Sequence, residues 1–303
     1  MQNFYEKLDE LYIAGDLTAV ESYITNAIAE TNASSIERAG LLNELAGFYR
    51  GVSRFKESED AFSQSLEIFE AAGMGATPEY ATVLLNLAGL YRMRGDAEKA
   101  IALFHTAKEK LETAGAQSSY AYVSILNNLA LAYQAKSEYE TALQYASDAL
   151  GRLRQTDSNE HEIAASLNNL AAIEISCGNP PEADKYITEA LAIYDAMPET
   201  DVHHAAALTT KSVILCRNGD YTGALDGFRR ALELTRRFFG ENIEYAACKR
   251  NIADVCETLG DLQAATEELT DAVRIMEKIQ GPDHPATQTT KKALEKLHEK
   301  RGL

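Results

Sequence analysis

The chain has 303 residues, 46% apolar and 25% charged, with 46 acidic against 29 basic side chains and a formal charge of -17. Such an excess of carboxylates excludes general nucleic-acid binding and docking on an anionic membrane, since both need clustered Lys and Arg. It suits a basic partner, and equally a solvated acidic surface. No apolar run approaches the ~18 residues of a bilayer-spanning helix. Met1 to Asp16 carries acids and an amphipathic pattern rather than the basic and apolar regions of a signal peptide, so a cytoplasmic setting is expected. Cys177, Cys216, Cys248 and Cys256 have no metal-site spacing and sit in apolar helical stretches, which predicts packed, reduced thiols.

In chain order, residues 1–33 open with a short helix pattern, Leu8, Leu11 and Tyr12. Gly15-Asp16-Leu17 follows, then Val20, Ile24 and Ala27 at helical spacing. From there one motif recurs. Its marker small residues are Ala46, Ala88, Ala130, Ala171, Ser212 and Ala253, at spacings of 42, 42, 41, 41 and 41 residues. The unit is clearest at its second copy. Leu84, Leu87, Ala88 and Tyr91 fall at i, i+3, i+4 and i+7, one face of a helix. Gly95 predicts the end of that helix, because glycine tolerates a left-handed cap. Asp96, like Asp220 later, predicts an N-cap. Ala100, Leu103, Phe104 and Ala107 then mark a second helix, with alanines small enough for helices to pack closely. Phe62 and Phe228 stand at corresponding places. Pro78 begins a new helix without loss, since its missing N–H would be unpaired there. Related strings start at Leu126-Asn127-Asn128 and Leu167-Asn168-Asn169. The fifth copy is eroded, with Thr210-Lys211-Ser212. Residues 285–301 read as a lone helix rich in Lys and Glu, a solvating end cap.

The strings LLNLAGLYRMRGDAEKAIALFHTAKEKL and ILNNLALAYQAKSEYETALQYASDAL resemble the tetratricopeptide repeat family. The spacing is similar to the longer repeats of kinesin light chains, and Gly281-Pro282-Asp283-His284-Pro285 resembles the linker of that group. The resemblance implies an all-α, right-handed superhelical solenoid of stacked antiparallel helix pairs. On this reading the chain is one array: a degenerate repeat over 1–33, repeats at 37–77, 78–119, 120–161, 162–202, 203–243 and 244–284, and a cap at 285–301.

The same resemblance implies a concave wall built from the first helix of each unit, with a protein or extended peptide as partner. The positions expected to face it are Asn43, Arg50, Asn86, Arg92, Asn127, Asn128, Gln134, Asn168, Asn169, Arg250 and Asn251. An amide offers both a donor and an acceptor, so a column of them suits a peptide backbone. Asn is also a poor helix-interior residue, and its recurrence costs helix propensity. The same amides could instead bond neighbouring helices and hold the repeats in register; sequence leaves both readings open. Arg50 and Arg92 suit acidic ligand groups or simple solvation. Glu44, Asp254 and Glu257 make the wall mixed in sign. The family's carboxylate clamps need basic pairs one turn apart, and Thr82/Asn86, Ser124/Asn128, Ala165/Asn169 and Ala206/Thr210 hold none.

Tyr49, Tyr91 and Tyr133 recur every 42 residues in a phase that predicts core packing rather than a stacking platform. His203-His204, expected in a loop, would point about 100° apart on a helix and so cannot converge on one ion. No catalytic motif, cofactor loop or metal motif is found, so no enzyme activity, cofactor or metal is expected. Three functions follow for comparison: a protein- or peptide-binding scaffold, a peptide-responsive regulatory receptor that changes its superhelix pitch, and a self-assembling structural protein.

Overall fold

The structure, a computed structural model, describes residues 2–155, 160–197 and 202–302. The linkers 156–159 and 198–201, inside the expected repeats 120–161 and 162–202, lie outside the described residues. Fifteen helices and no strand occur among the described residues. They are α1 (Gln2–Ala14), α2 (Leu17–Ala29), α3 (Ile36–Gly51), α4 (Phe55–Ala71), α5 (Pro78–Met93), α6 (Ala97–Thr113), α7 (Tyr120–Ala135) and α8 (Tyr139–Leu153). They continue with α9 (Glu160–Cys177), α10 (Pro180–Ala196), α11 (Val202–Arg217), α12 (Tyr221–Phe239), α13 (Ile243–Thr258), α14 (Leu262–Gln280) and α15 (Pro285–Arg301). The helices group into two compact units, Met1–Tyr186 and Ile187–Leu303.

In the first unit, α3–α4, α5–α6 and α7–α8 are tightly packed hairpins. Each second helix also packs on the first helix of the next hairpin, as α4 does on α5, α6 on α7 and α8 on α9. The second unit repeats the scheme with hairpins α11–α12 and α13–α14, closed by α15 against α14. Small residues set the contact. The six markers, Ala46, Ala88, Ala130, Ala171, Ser212 and Ala253, are each 1% exposed or less. Ala100, Ala107, Ala142 and Ala149 are buried opposite them, and Phe62, Phe104 and Phe228 fill the space beside the close contact. Burying one such ring contributes about 1.5–3 kcal/mol.

Where α4 carries serine in place of these alanines, the hydroxyl reaches the facing backbone. Ser58 Oγ donates to the Ala46 carbonyl and Ser65 Oγ to the Ala39 carbonyl, both at 2.8 Å. Repeat five solves the contact in reverse: its marker is the larger Ser212, and a Cβ at Gly227 would overlap the Ser212 hydroxyl. That hydroxyl turns back to the Leu208 carbonyl of its own helix, 2.8 Å away.

The helix ends follow side-chain chemistry. Asp16, Asp96, Asp220 and Asp261 accept from the third amide of the next helix, and Ser35, Thr77 and Ser119 cap first helices in the same way. Pro78 takes the first-turn position of α5. The turn inside each hairpin needs one residue at positive φ. Gly95 holds it at 84°, whereas Ser53 and Ser137 hold it at 61° and 62°.

Tyrosines fasten one hairpin to the next in the first unit. Tyr49 and Tyr91 are buried, as their phase predicts, but their hydroxyls do not end in the core. Tyr49 Oη donates to Glu21 at 2.9 Å, beneath the Arg54 guanidinium 4.2 Å from its ring. Tyr91 donates to Glu59, which also takes Arg94 at 2.6 Å. A second set joins Tyr80 to Glu70 at 2.6 Å and Tyr122 to Glu112 at 2.8 Å. Tyr133 departs from the series: it is half-buried and stacks on Tyr145, with His105 Nε2 3.2 Å from its hydroxyl.

Two expectations need correction. Cys248 and Cys256 are buried, and burial pushes the Cys248 thiol up to about 12. Cys177, however, is exposed, because it is the last residue of α9 and lies beyond the face that α9 buries. The His203-His204 pair lies on the first turn of α11 rather than in a loop; His203 is exposed and His204 is buried against Tyr194.

Two predictions follow from this packing. A side chain held at positive φ costs about 1–2 kcal/mol. Ser137→Gly is therefore expected to stabilise by about 1 kcal/mol and Gly95→Ala to destabilise by a similar amount; no atom lies within 4 Å of a Cβ at Gly95, so conformation alone is tested. Thermal unfolding followed by circular dichroism checks both. Burial, and then the bond to Glu70, push the Tyr80 hydroxyl up to about 12, against about 10 in an unfolded chain. The folded value is the higher one, so this contribution is complete below pH 10 and fades as pH rises through 12. Between those values the melting temperature of the parent is expected to fall more steeply than that of Tyr80→Phe.

Candidate binding face

The first helices of the first unit touch one another in the row α3–α5–α7–α9, while among the described residues no two second helices in that unit approach comparably. Crowding on one side and splaying on the other make the row the inner, concave side of this unit. Several of its residues are glycine. A Cβ at Gly40 or Gly47 would meet nothing within 4 Å, so open space lies above both. At Gly89 a Cβ would stand 2.8 Å from Arg50 Nη1; this glycine makes room for the arginine.

All eleven residues expected on this wall are half-buried, with none sealed inside. Nine lie on α3, α5, α7 and α9; Arg250 and Asn251 lie on α13 of the second unit. Several tie adjacent first helices together. Asn86 Nδ2 donates to Asn43 Oδ1 at 3.0 Å, and Arg50 Nη1 donates to the Asn86 carbonyl at 3.0 Å, both joining α3 to α5. Asn127 Nδ2 donates to Ser166 Oγ at 2.6 Å, joining α7 to α9. Gln134 Nε2 donates to the Ala172 carbonyl and to Ser176 Oγ, both at 2.8 Å, across the same seam. Arg92 occupies on α5 the place that Arg50 has on α3.

The other amides are differently placed. Asn128 Nδ2 donates only to Ser124 O of its own helix, at 2.9 Å. The side chains of Asn169 and Asn251 make no hydrogen bond among the described residues. Asn127 Oδ1 and Asn168 Oδ1 are buried acceptors that no described group satisfies. An unmet buried acceptor costs about 1–3 kcal/mol, so both positions favour an added donor.

The electrostatics are uneven. Burial pushes the Glu44 carboxyl up, against a weak opposing bond from Asn43 Nδ2 at 3.4 Å. Burial also raises Asp254 on α13, with Arg250 pulling the other way. The periodicity of the asparagines led to this wall. The open space above Gly40 and Gly47 was not visible in sequence, because mid-helix glycine is equally consistent with a tight contact. Among the described residues, no group of three metal-ligating side chains exists and no helix is long and apolar enough to cross a membrane.

Comparison with known proteins gives the following. Among curated proteins none matches the chain. A solved structure of the Rap conjugation gene regulator of plasmid pLS20, in complex with the Phr* peptide, is similar at 18% identity, covering 92% of this chain and 74% of that one with a TM-score of 0.71. A Rap protein complexed with Competence and Sporulation Factor is similar at 16% identity over 99% of this chain and 98% of that one, with a TM-score of 0.59. A tetratricopeptide repeat protein from Parabacteroides merdae is similar at 16% identity over 98% of each chain, with a TM-score of 0.56. At these identities the likeness concerns the fold. The family model described as tetratricopeptide repeat matches residues 37–112, 122–196 and 203–278. With most of its length covered by these three matches, and with stacked small-residue hairpins in both units, the chain belongs to the tetratricopeptide repeat family.

Proposed function

We propose that this protein is a protein- and peptide-binding scaffold, and that its site is the concave row α3–α5–α7–α9. Each of the segments 37–77, 78–119, 120–161 and 162–202 contributes one first helix to that row. The observation that carries the reading is the uncommitted amide capacity there. Asn128 and Asn169 recur at one phase, half-exposed, without bonds to neighbouring helices, and further along the same row α3 leaves open space above Gly40 and Gly47. An extended segment laid in the row would pair its backbone with those amides. Asn43, Asn86, Asn127, Arg50 and Gln134 would meanwhile keep the helices in register. The two readings of the amides are thus divided between different residues.

A second reading, a peptide-responsive regulatory receptor, is favoured by the two Rap structures, each described with a bound peptide or factor. One of those proteins is called a gene regulator. Scattering profiles of the protein with and without a selected peptide test it: a changed profile supports a switch, and superposable profiles leave a plain scaffold.

The division of labour yields a direct test. Peptides selected from a random heptamer library on the parent protein are expected to bind Asn128→Ala/Asn169→Ala at least ~10-fold more weakly. That follows from about 1 kcal/mol for each hydrogen bond lost. The melting temperature of this variant should hardly move. Asn86→Ala should instead lower stability by about 1 kcal/mol, since it breaks the bond to Asn43 that joins α3 to α5. Unchanged peptide affinity in the double variant would remove the concave row as the site. Gly47→Ala should raise helix stability by up to about 1 kcal/mol while weakening the same peptides, because the new methyl enters the open floor.

A further inference from the structure

The second unit carries a charge pattern at odds with the rest of the chain. Residues 202–239 hold six basic side chains against Asp220, Asp226 and Glu233, in a chain of net charge -17. Four of the six are Arg229, Arg230, Arg236 and Arg237, all exposed on α12. Ala224, Phe228 and Ala231 are buried, so they mark the inward face of α12 and the arginines lie away from it. Seven residues rotate a helix nearly back to its starting direction and advance it about 10.5 Å. Arg229 and Arg236 therefore lie in line along the outer surface, as do Arg230 and Arg237, the two lines about 100° apart around the helix. Glu233 sits between them and Asp226 lies one turn before them.

On α12 itself Asp226 and Glu233 lie within a turn of the arginines but form no ion pair with Arg229, Arg230 or Arg236 among the described residues, and several acids elsewhere in the second unit hold bases of their own. Glu268 and Asp271 of α14 bind Lys249 at 2.6 and 3.2 Å. Glu277 binds Lys291 at 2.6 Å, and Glu241 binds Arg274 at 3.0 Å. Arg229, Arg230 and Arg236 have no carboxylate within ion-pair reach among the described residues. The Arg237 guanidinium lies 5.5 Å from the ring centre of Phe238. In a chain with so many acids, three exposed arginines on one short surface stay available for an external anion.

We infer that the outer face of α12 is a second docking surface, separate from the concave row, and that it takes an acidic polypeptide segment. The chemistry favours carboxylates about 10 Å apart, each engaged by a guanidinium fork. A long polyanion such as nucleic acid fits poorly. The stripe spans only about two turns, and a rod-like phosphate backbone leaving it would run over an acidic surface such as α14, which has four acids and two bases.

The test uses fluorescein-labelled decaglutamate and a labelled ten-nucleotide thymidine strand as probes, read by fluorescence polarisation at low salt. Decaglutamate is expected to bind the parent. It should bind Arg229→Glu/Arg236→Glu at least tenfold more weakly, and Arg229→Gln/Arg236→Gln at an intermediate level. Because the substituted side chains are exposed, circular dichroism should be unchanged. Asn128→Ala/Asn169→Ala should bind decaglutamate as the parent does, which separates this surface from the concave row. Equal decaglutamate binding by the parent and the Glu variant would overturn the inference. So would tighter binding of the thymidine strand, or a parent dimer in sedimentation that the Glu variant abolishes, since the occupant would then be nucleic acid or a second copy.

Discussion

Two helix backbones can approach closely only where a small side chain lies between them, and every hairpin detailed here meets over such a point. The marker position is alanine in five repeats and serine in one, always at the bottom of the contact. At Ser58 and Ser65 the approach is close enough for a hydroxyl to reach the facing carbonyl. Where the marker enlarges to Ser212, glycine appears opposite at Gly227. The conserved quantity is thus the gap rather than the residue. A stack of such hairpins gains its core through nearest neighbours, with each first helix covered by the second helix before it.

Polar groups settle how one hairpin sits on the next. Apolar packing is tolerant of small slides, whereas a hydrogen bond at 2.6–2.9 Å is not. The tyrosine hydroxyls of Tyr49, Tyr80 and Tyr122 reach carboxylates on the preceding second helix, and the amides and guanidinium of Asn86, Asn127, Gln134 and Arg50 join successive first helices. Both kinds meet at the seam between α3–α4 and α5–α6, where Tyr80 bonds Glu70 and Asn86 bonds Asn43. Net contributions per bond are modest, about 0.5–1.5 kcal/mol, but a shifted register would break several together. Such a fixed frame leaves the remaining amides, Asn128 and Asn169, in set positions without binding them, as a recognition surface for an extended chain requires.

Charge divides the molecule's surfaces differently. The concave row mixes neutral amides with a carboxyl, Glu44, whose burial disfavours its charged form. A partner laid on such a wall would be recognised by hydrogen bonding, which is short-ranged. The arginine stripe on α12 is open to solvent, where attraction reaches about 8–10 Å at ordinary ionic strength. On the proposed reading the first kind of surface would set fit and the second would set encounter, and salt would affect them unequally.

The periodic positions were legible from the amino-acid order because helix geometry converts a spacing of three and four into a face, and a spacing of 41–42 into a stack. The markers, the Gly95 turn, the Asp96 and Asp220 caps and the Pro78 start all follow from local rules acting within a few residues. The family was legible for the same reason. The partner of each polar atom was not. Asn86 and Asn128 share one phase, yet the first reaches Asn43 on α3 and the second turns to its own helix. Arg50 reaches α5 only because residue 89 lacks a Cβ. Tyr133 leaves the tyrosine series: its hydroxyl meets His105 rather than a carboxylate, and its ring stacks on Tyr145. Those outcomes depend on which side chain arrives from about 40 residues away and how close the backbones stand, quantities that exist only once the helices have stacked.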